Sequence, residues 1–118
     1  DPFDPKNIVN GRAWSADFML ANPITHPRFT WIRKYSNDAL GDLYGSVGPF
    51  DLFIHDSDHG VECQTYEYEA AWLMVRSGGI IASDDVTWGQ HNAWHDFIKR
   101  HGFDGDKTVG AAHYIVKP

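Results

Sequence analysis

Asp56, Asp84 and Asp85 are the residues whose type and placement suggest chemistry. Each closes a short apolar run: Asp56 ends PFDLFIHD, and the Asp84-Asp85 pair ends GGIIASDD. Carboxylates that converge repel one another, and keeping them ionised calls for a compensating charge, which a hard divalent cation supplies. Oxygen ligands of this kind suit magnesium, manganese or calcium better than zinc. His59 follows Asp58 directly and could take a proton near neutral pH. His91 lies past Asp85 on the same side and could face a substrate, and Trp88 could wall one. Each of these has a plainer reading. Asp58 and Asp85 could cap the helices that follow them, as Asp does well. His59 could simply hydrogen-bond an Asp, His91 could be a helix-start residue without a role, and Trp88 could pack. Two acidic clusters at matching strand ends favour chemistry for the aspartates. For His91 and Trp88 the plainer reading is favoured.

The elements that must position these residues can be read from the pattern. Pro49 to His55 is a short apolar run, the signature of a strand buried on both faces; His55 is expected to pack within it. Cys63 to Arg76 reads as a helix, with Tyr68, Ala71, Trp72 and Val75 on one face and Gly78-Gly79 closing it. Gly79 to Ser83 reads as the next strand. His91 to His101 reads as an amphipathic helix with Trp94, Phe97, Ile98 and His101 on one stripe; His95 and His101 are expected on its surface or in the core. Lys107 to Lys117 reads as one or two strands with a turn at Gly110. Upstream, Asp1 to Gly11 reads as loop, Arg12 to Ala21 as a short helix stopped at Asn22-Pro23, Phe29 to Tyr35 as a strand, and Asp38 to Tyr44 as a short helix. Alternation of strand and helix argues for βαβ units and a mostly parallel sheet. Ligands bind beyond the carboxyl ends of such strands, which is where both acidic clusters fall.

Bulk properties narrow the function classes. The chain has 118 residues and a formal charge of −6, which makes it ill suited to a phosphate backbone or an anionic membrane surface. Nucleic-acid and membrane partners are therefore not expected. Its one cysteine, Cys63, allows neither an intrachain disulfide nor a cysteine zinc site, which fits a reducing compartment and an expected cytoplasmic location. No run approaches the roughly 20 apolar residues of a membrane helix.

FDLFIHDSDH, a Glu-rich helix, and then GGIIASDDVTW together resemble the class I S-adenosylmethionine-dependent methyltransferases of the metal-dependent O-methyltransferase type. The likeness is strongest to the group whose fourth strand ends in Asp-x-Asp-His. It runs over most of the chain, above all from Phe50 to Gly102. It implies an α/β, Rossmann-like methyltransferase sheet, mostly parallel with an antiparallel C-terminal strand. It implies S-adenosylmethionine and magnesium, or another divalent cation, as cofactors. The metal ligands correspond to Asp56, Asp84 and Asp85, the last standing where relatives often carry Asn. Asp1 matches the acid that holds the cofactor ribose, Ser36 and Asn37 match the region near the adenine, and Ser57, next to Asp56, sits where relatives contact the adenine edge. Asp56 and His59 are the implied catalytic residues, although some relatives place a Lys where His59 stands. The family's glycine-rich loop after its first strand is missing from this chain. The expectation is therefore a single partial domain over residues 1–118, the C-terminal two-thirds, incomplete at its N-terminus.

The implied reaction is methyl transfer to a hydroxyl of a small molecule or sugar. Positioning the acceptor in line with the methyl contributes about 7–11 kcal/mol in favourable cases. A cation lowers the hydroxyl pKa, and His59 assists as base. A rival is a haloacid-dehalogenase-type phosphohydrolase, with Asp56 as nucleophile and Asp58 as acid/base. Against it, Gly60 stands where that family prefers Thr or Val, and no Lys lies between Lys34 and Lys99. A glycosyltransferase using Asp56-Ser57-Asp58 is weaker still. A non-catalytic truncated domain, presenting Trp14, Trp31 and Trp88 as a surface, is the remaining alternative. The sequence leaves the acceptor, the metal and the oligomeric state open, a homo-oligomer included.

Overall fold

The computed structural model describes residues 25–30, 32–56, 60–84, 86 and 93–118. The chain divides into two compact units, Asp1–Ala39 and Leu40–Pro118. Helix α1 (Ser36–Leu43) spans that division, with Asp38 in its first turn, and Gly45 follows it at φ +80°.

In the second unit, β1 (Phe50–His55) leads through Gly60 into α2 (Val61–Met74), which passes without a loop into β2 (Val75–Ser83). Then come α3 (Ala93–Arg100) and a hairpin of β3 (Lys107–Val109) and β4 (Ala112–Val116). The four strands form one sheet in the order β1-β2-β4-β3. β1 and β2 run parallel, while β4 is antiparallel to both β2 and β3. This is the Rossmann-like arrangement expected, parallel at its start and closed by an antiparallel C-terminal strand.

Local causes are visible in each element. The buried stripe of α2 is Gln64, Glu67, Tyr68, Ala71 and Met74, which follows helical spacing. It begins two residues before the expected start, since Gly60 is extended and serves as N-cap. α3 carries Asp96 in its first turn and Lys99 and Arg100 in its last, as the helix dipole favours. Gly110, at φ +59°, makes the tight β3–β4 turn that β-branched neighbours would resist.

Strand β2 starts earlier than the pattern suggested. Val75 pairs with Phe50, after which the register shifts so that Leu52 pairs with Ile80. Gly79 permits the close approach: a Cβ there would lie 2.9 Å from the Asp51 carbonyl oxygen and 2.5 Å from Val75 Cγ1.

Helices α2 and α3 cover one face of the sheet. Their core is Tyr68, Ala71, Trp94, Phe97 and Ile98 packed on Val75, Ile81 and Ile115. Tyr68 stacks on Phe97 with centroids 5.3 Å apart and meets Trp94 edge-on at 5.2 Å. On the other face of β1, Leu52 and Ile54 are exposed.

Upstream, one expectation fails. Phe29 to Tyr35 forms no strand among its described residues. The chain turns instead, with Phe29 N–H donating to the His26 carbonyl and Lys34 N–H to that of Ile32. β-branched and aromatic content favours a strand only where a neighbour offers backbone partners, and here these amides bond locally. The helix expected over Arg12 to Ala21 lies outside the described residues.

Candidate functional site

The carboxyl ends of β1 and β2 lie side by side. His55 pairs with Ser83 in the last register position of the two strands. One step beyond, the Asp84 amide donates to the His55 carbonyl oxygen at 2.9 Å. Asp56 and Asp84 therefore leave neighbouring strands at the same level, as the sequence suggested. Asp56 is exposed and Asp84 half-buried. Asp85, Ser57, Asp58, His59, Trp88 and His91 lie outside the described residues, as does Asp1. Ser36 and Asn37 form the first turn of α1, Ser36 half-buried and Asn37 exposed. Among the described residues no group of three His, Cys, Asp or Glu side chains is arranged to hold a metal ion.

Just beneath the strand tips runs a row of polar side chains that periodicity did not reveal. His55, Ser83, His113 and Thr108 stand opposite one another across all four strands. Helix α2 supplies partners for the first two. His55 Nδ1 bonds Glu67, both side chains almost wholly buried, and the His55 ring meets Tyr68 edge-on. Among the described residues, His55 Nε2 is buried without a hydrogen-bond partner. The Tyr68 hydroxyl lies 2.6 Å from Ser83 Oγ and donates to Gln64 Oε1 at 3.1 Å. Burial pushes the Tyr68 phenol up to about 12; the Ser83 hydrogen bond opposes that shift and the Glu67 charge adds to it.

His113 finds its partner in the loop before β3. Its Nδ1 lies 2.8 Å from Asp106 Oδ2, and the same oxygen accepts from Trp94 Nε1 at 2.6 Å. Burial alone would raise the Asp106 carboxyl. Hydrogen bonds from Trp94 and His113, with the charges of His113 and His95, outweigh it and hold the carboxyl below its usual range. A cavity of about 460 Å³ opens beside this group, lined by His95, Lys99, Phe103, Asp104 and Asp106 among others.

At the opposite end of α3, Glu69 of α2 accepts from Arg100 at 3.0 Å and meets His101 Nε2 at 2.8 Å. The His101 ring stacks on Trp72 at 3.9 Å, so this His serves helix packing. His95 is exposed, and His55 is packed in its strand as expected.

The signal for the polar row was present but divided. Gln64 and Glu67 share a helical stripe with Tyr68, which reads as an interrupted apolar face until the sheet shows what lies opposite. His113 and Asp106 are seven residues apart, and only the β3–β4 register brings them together.

A family model described as a methyltransferase domain matches residues 1–86. That span contains β1, α2, β2 and all three aspartates. No curated protein and no solved structure matches. No described helix is long and apolar enough to cross a membrane.

Proposed function

The chain belongs to a methyltransferase-domain family, and from that premise we propose that it moves the methyl group of S-adenosylmethionine to a hydroxyl of a small molecule or sugar, with a divalent cation at the strand tips. One observation carries the reading: Asp56 and Asp84 leave adjacent parallel strands at one level, tied by the Asp84 N–H to His55 carbonyl bond. Ligands of open parallel sheets sit beyond this end. The donors are carboxylate oxygens, the chemistry that magnesium prefers. Asp56 and Asp84, two of the three proposed ligands, each follow the His55–Ser83 register pair by one residue, and Asp85 is next in the chain.

A bound cation would lower the pKa of the acceptor hydroxyl and orient it. The donor's sulfonium already activates its methyl group, so the protein's share of the work is alignment, proton removal and exclusion of water. Asp56 and Asp84 hold and orient what binds at the tips. His59 takes the hydroxyl proton, a contribution of roughly 10²–10⁴-fold for a well-placed base. Asp1, Ser36, Asn37 and Ser57 are assigned to the donor's ribose and adenine. The family match favours this chemistry over a phosphohydrolase with Asp56 as nucleophile.

Calorimetry of the intact protein with S-adenosylhomocysteine, with and without magnesium, tests the reading. Binding is expected, and acceptor methylation by S-adenosylmethionine should rise on adding the metal. A folded protein that binds no S-adenosylhomocysteine would favour the non-catalytic domain instead.

A further inference from the structure

We infer that Asp106 is a positioning residue for the strand-tip site, acting through Trp94 and His113; the inference rests on the methyl-transfer reading of that site. Three elements converge on one carboxylate. Trp94 belongs to the first turn of α3, His113 to β4, and Asp106 to the segment leading into β3. Both partners bond the same oxygen, at 2.6 and 2.8 Å. The Trp94 side chain is nearly wholly buried, so its N–H has no solvent to turn to.

The height of this junction gives it its role. His113 stands directly opposite Ser83, and Ser83 immediately precedes Asp84. Asp84 is thus steadied from two sides. β1 holds its amide through His55, and β4 flanks the preceding residue while Asp106 fixes β4 to the start of α3. The Tyr68–Ser83 bond adds a third restraint from α2. The Glu69–Arg100–His101 group ties the same two helices at the far end of α3, well away from the tips. Loosening Asp106 should therefore disturb the site, whereas loosening Glu69 should disturb only packing.

His113 could instead be read as a base, since a carboxylate orients its ring in the manner of a catalytic dyad. The two roles separate by substitution. An Asn amide can place an N–H donor where Nδ1–H stands, and it cannot accept a proton. A positioning His is therefore rescued by Asn, and a proton-accepting one is not.

The test compares wild type with Trp94→Phe, His113→Ala, His113→Asn and Asp106→Ala in the intact protein. Calorimetry reads S-adenosylhomocysteine affinity and its dependence on magnesium, and thermal unfolding is followed alongside. We expect H113A, W94F and D106A to raise the half-saturating magnesium concentration by about tenfold, as loss of groups that orient ligands does. H113N should return close to wild type. If D106A or H113A does not fold, W94F decides: it removes the N–H that bonds Asp106 and puts a smaller phenyl ring in the indole's place, and the unfolding scan shows whether it folds. Folded W94F with unaltered magnesium dependence overturns the inference, as does H113N that binds as poorly as H113A. A wild type that binds no S-adenosylhomocysteine sinks the site reading itself, which is a different result.

Discussion

The Tyr68 hydroxyl spans from α2 to the end of β2 and lies 2.6 Å from Ser83 Oγ, both side chains buried. Ser83 is the last strand residue before Asp84, so a helix side chain directly braces one edge of the proposed site. Tyr68→Phe removes the hydroxyl and leaves the Ser83 and Gln64 side chains short of one partner. We predict a loss of about 1–3 kcal/mol in urea unfolding, with the m-value unchanged.

The same phenol supplies a spectroscopic check. Burial holds its pKa near 12, so it stays neutral after exposed tyrosines have ionised. Ultraviolet titration of the folded protein should show at least one of the five tyrosines resisting ionisation until the chain unfolds. That late class should vanish in Tyr68→Phe. Its survival there would assign the resistance to another residue.

Acid stability follows from Glu69 and Asp106. Burial opposes ionisation at both. For Glu69 the His101 and Arg100 hydrogen bonds prevail, and for Asp106 those of Trp94 and His113, so both carboxyls sit below their usual range. A carboxyl depressed in the folded state stabilises that state above its unfolded pKa of about 4. The contribution fades as pH falls from there through the folded value. Unfolding free energy should therefore drop more steeply on acidification in wild type than in Glu69→Gln. Equal slopes would show that Glu69 contributes nothing to the pH dependence.

Gly79 tests the tight junction of β1 and β2. A methyl group there would crowd Val75 Cγ1 and the carbonyl oxygens of Arg76 and Asp51. Two of these three neighbours are backbone atoms, which cannot rotate away. Gly79→Ala should destabilise the fold by about 1–3 kcal/mol, measured by denaturant midpoint. A neutral outcome would mean that the strands can separate slightly without penalty.

Much of the second unit was legible in the sequence because its apolar runs are short, separated and bounded by glycine. PFDLFIH and GIIAS became parallel neighbours, and the acidic residues fell at their ends as the βαβ argument requires. The β3–β4 turn at Gly110 was equally readable. The bracing beneath the site was not. His55–Glu67 and His113–Asp106 pair residues on different elements, and no local pattern encodes a cross-sheet register. The Phe29 to Tyr35 run misled for the complementary reason: strand-favouring residues specify a strand only when another backbone edge accepts them, and here the Phe29 and Lys34 amides close short turns.

Manganese uptake followed by electron paramagnetic resonance tests the central claim most directly, because the free ion's signal is lost as carboxylates bind it. The intact wild type should take up manganese in a step sharpened by S-adenosylhomocysteine, and Asp56→Ala and Asp84→Ala should each abolish that step while remaining folded. Uptake in both variants indistinguishable from wild type would contradict a cation held between the ends of β1 and β2.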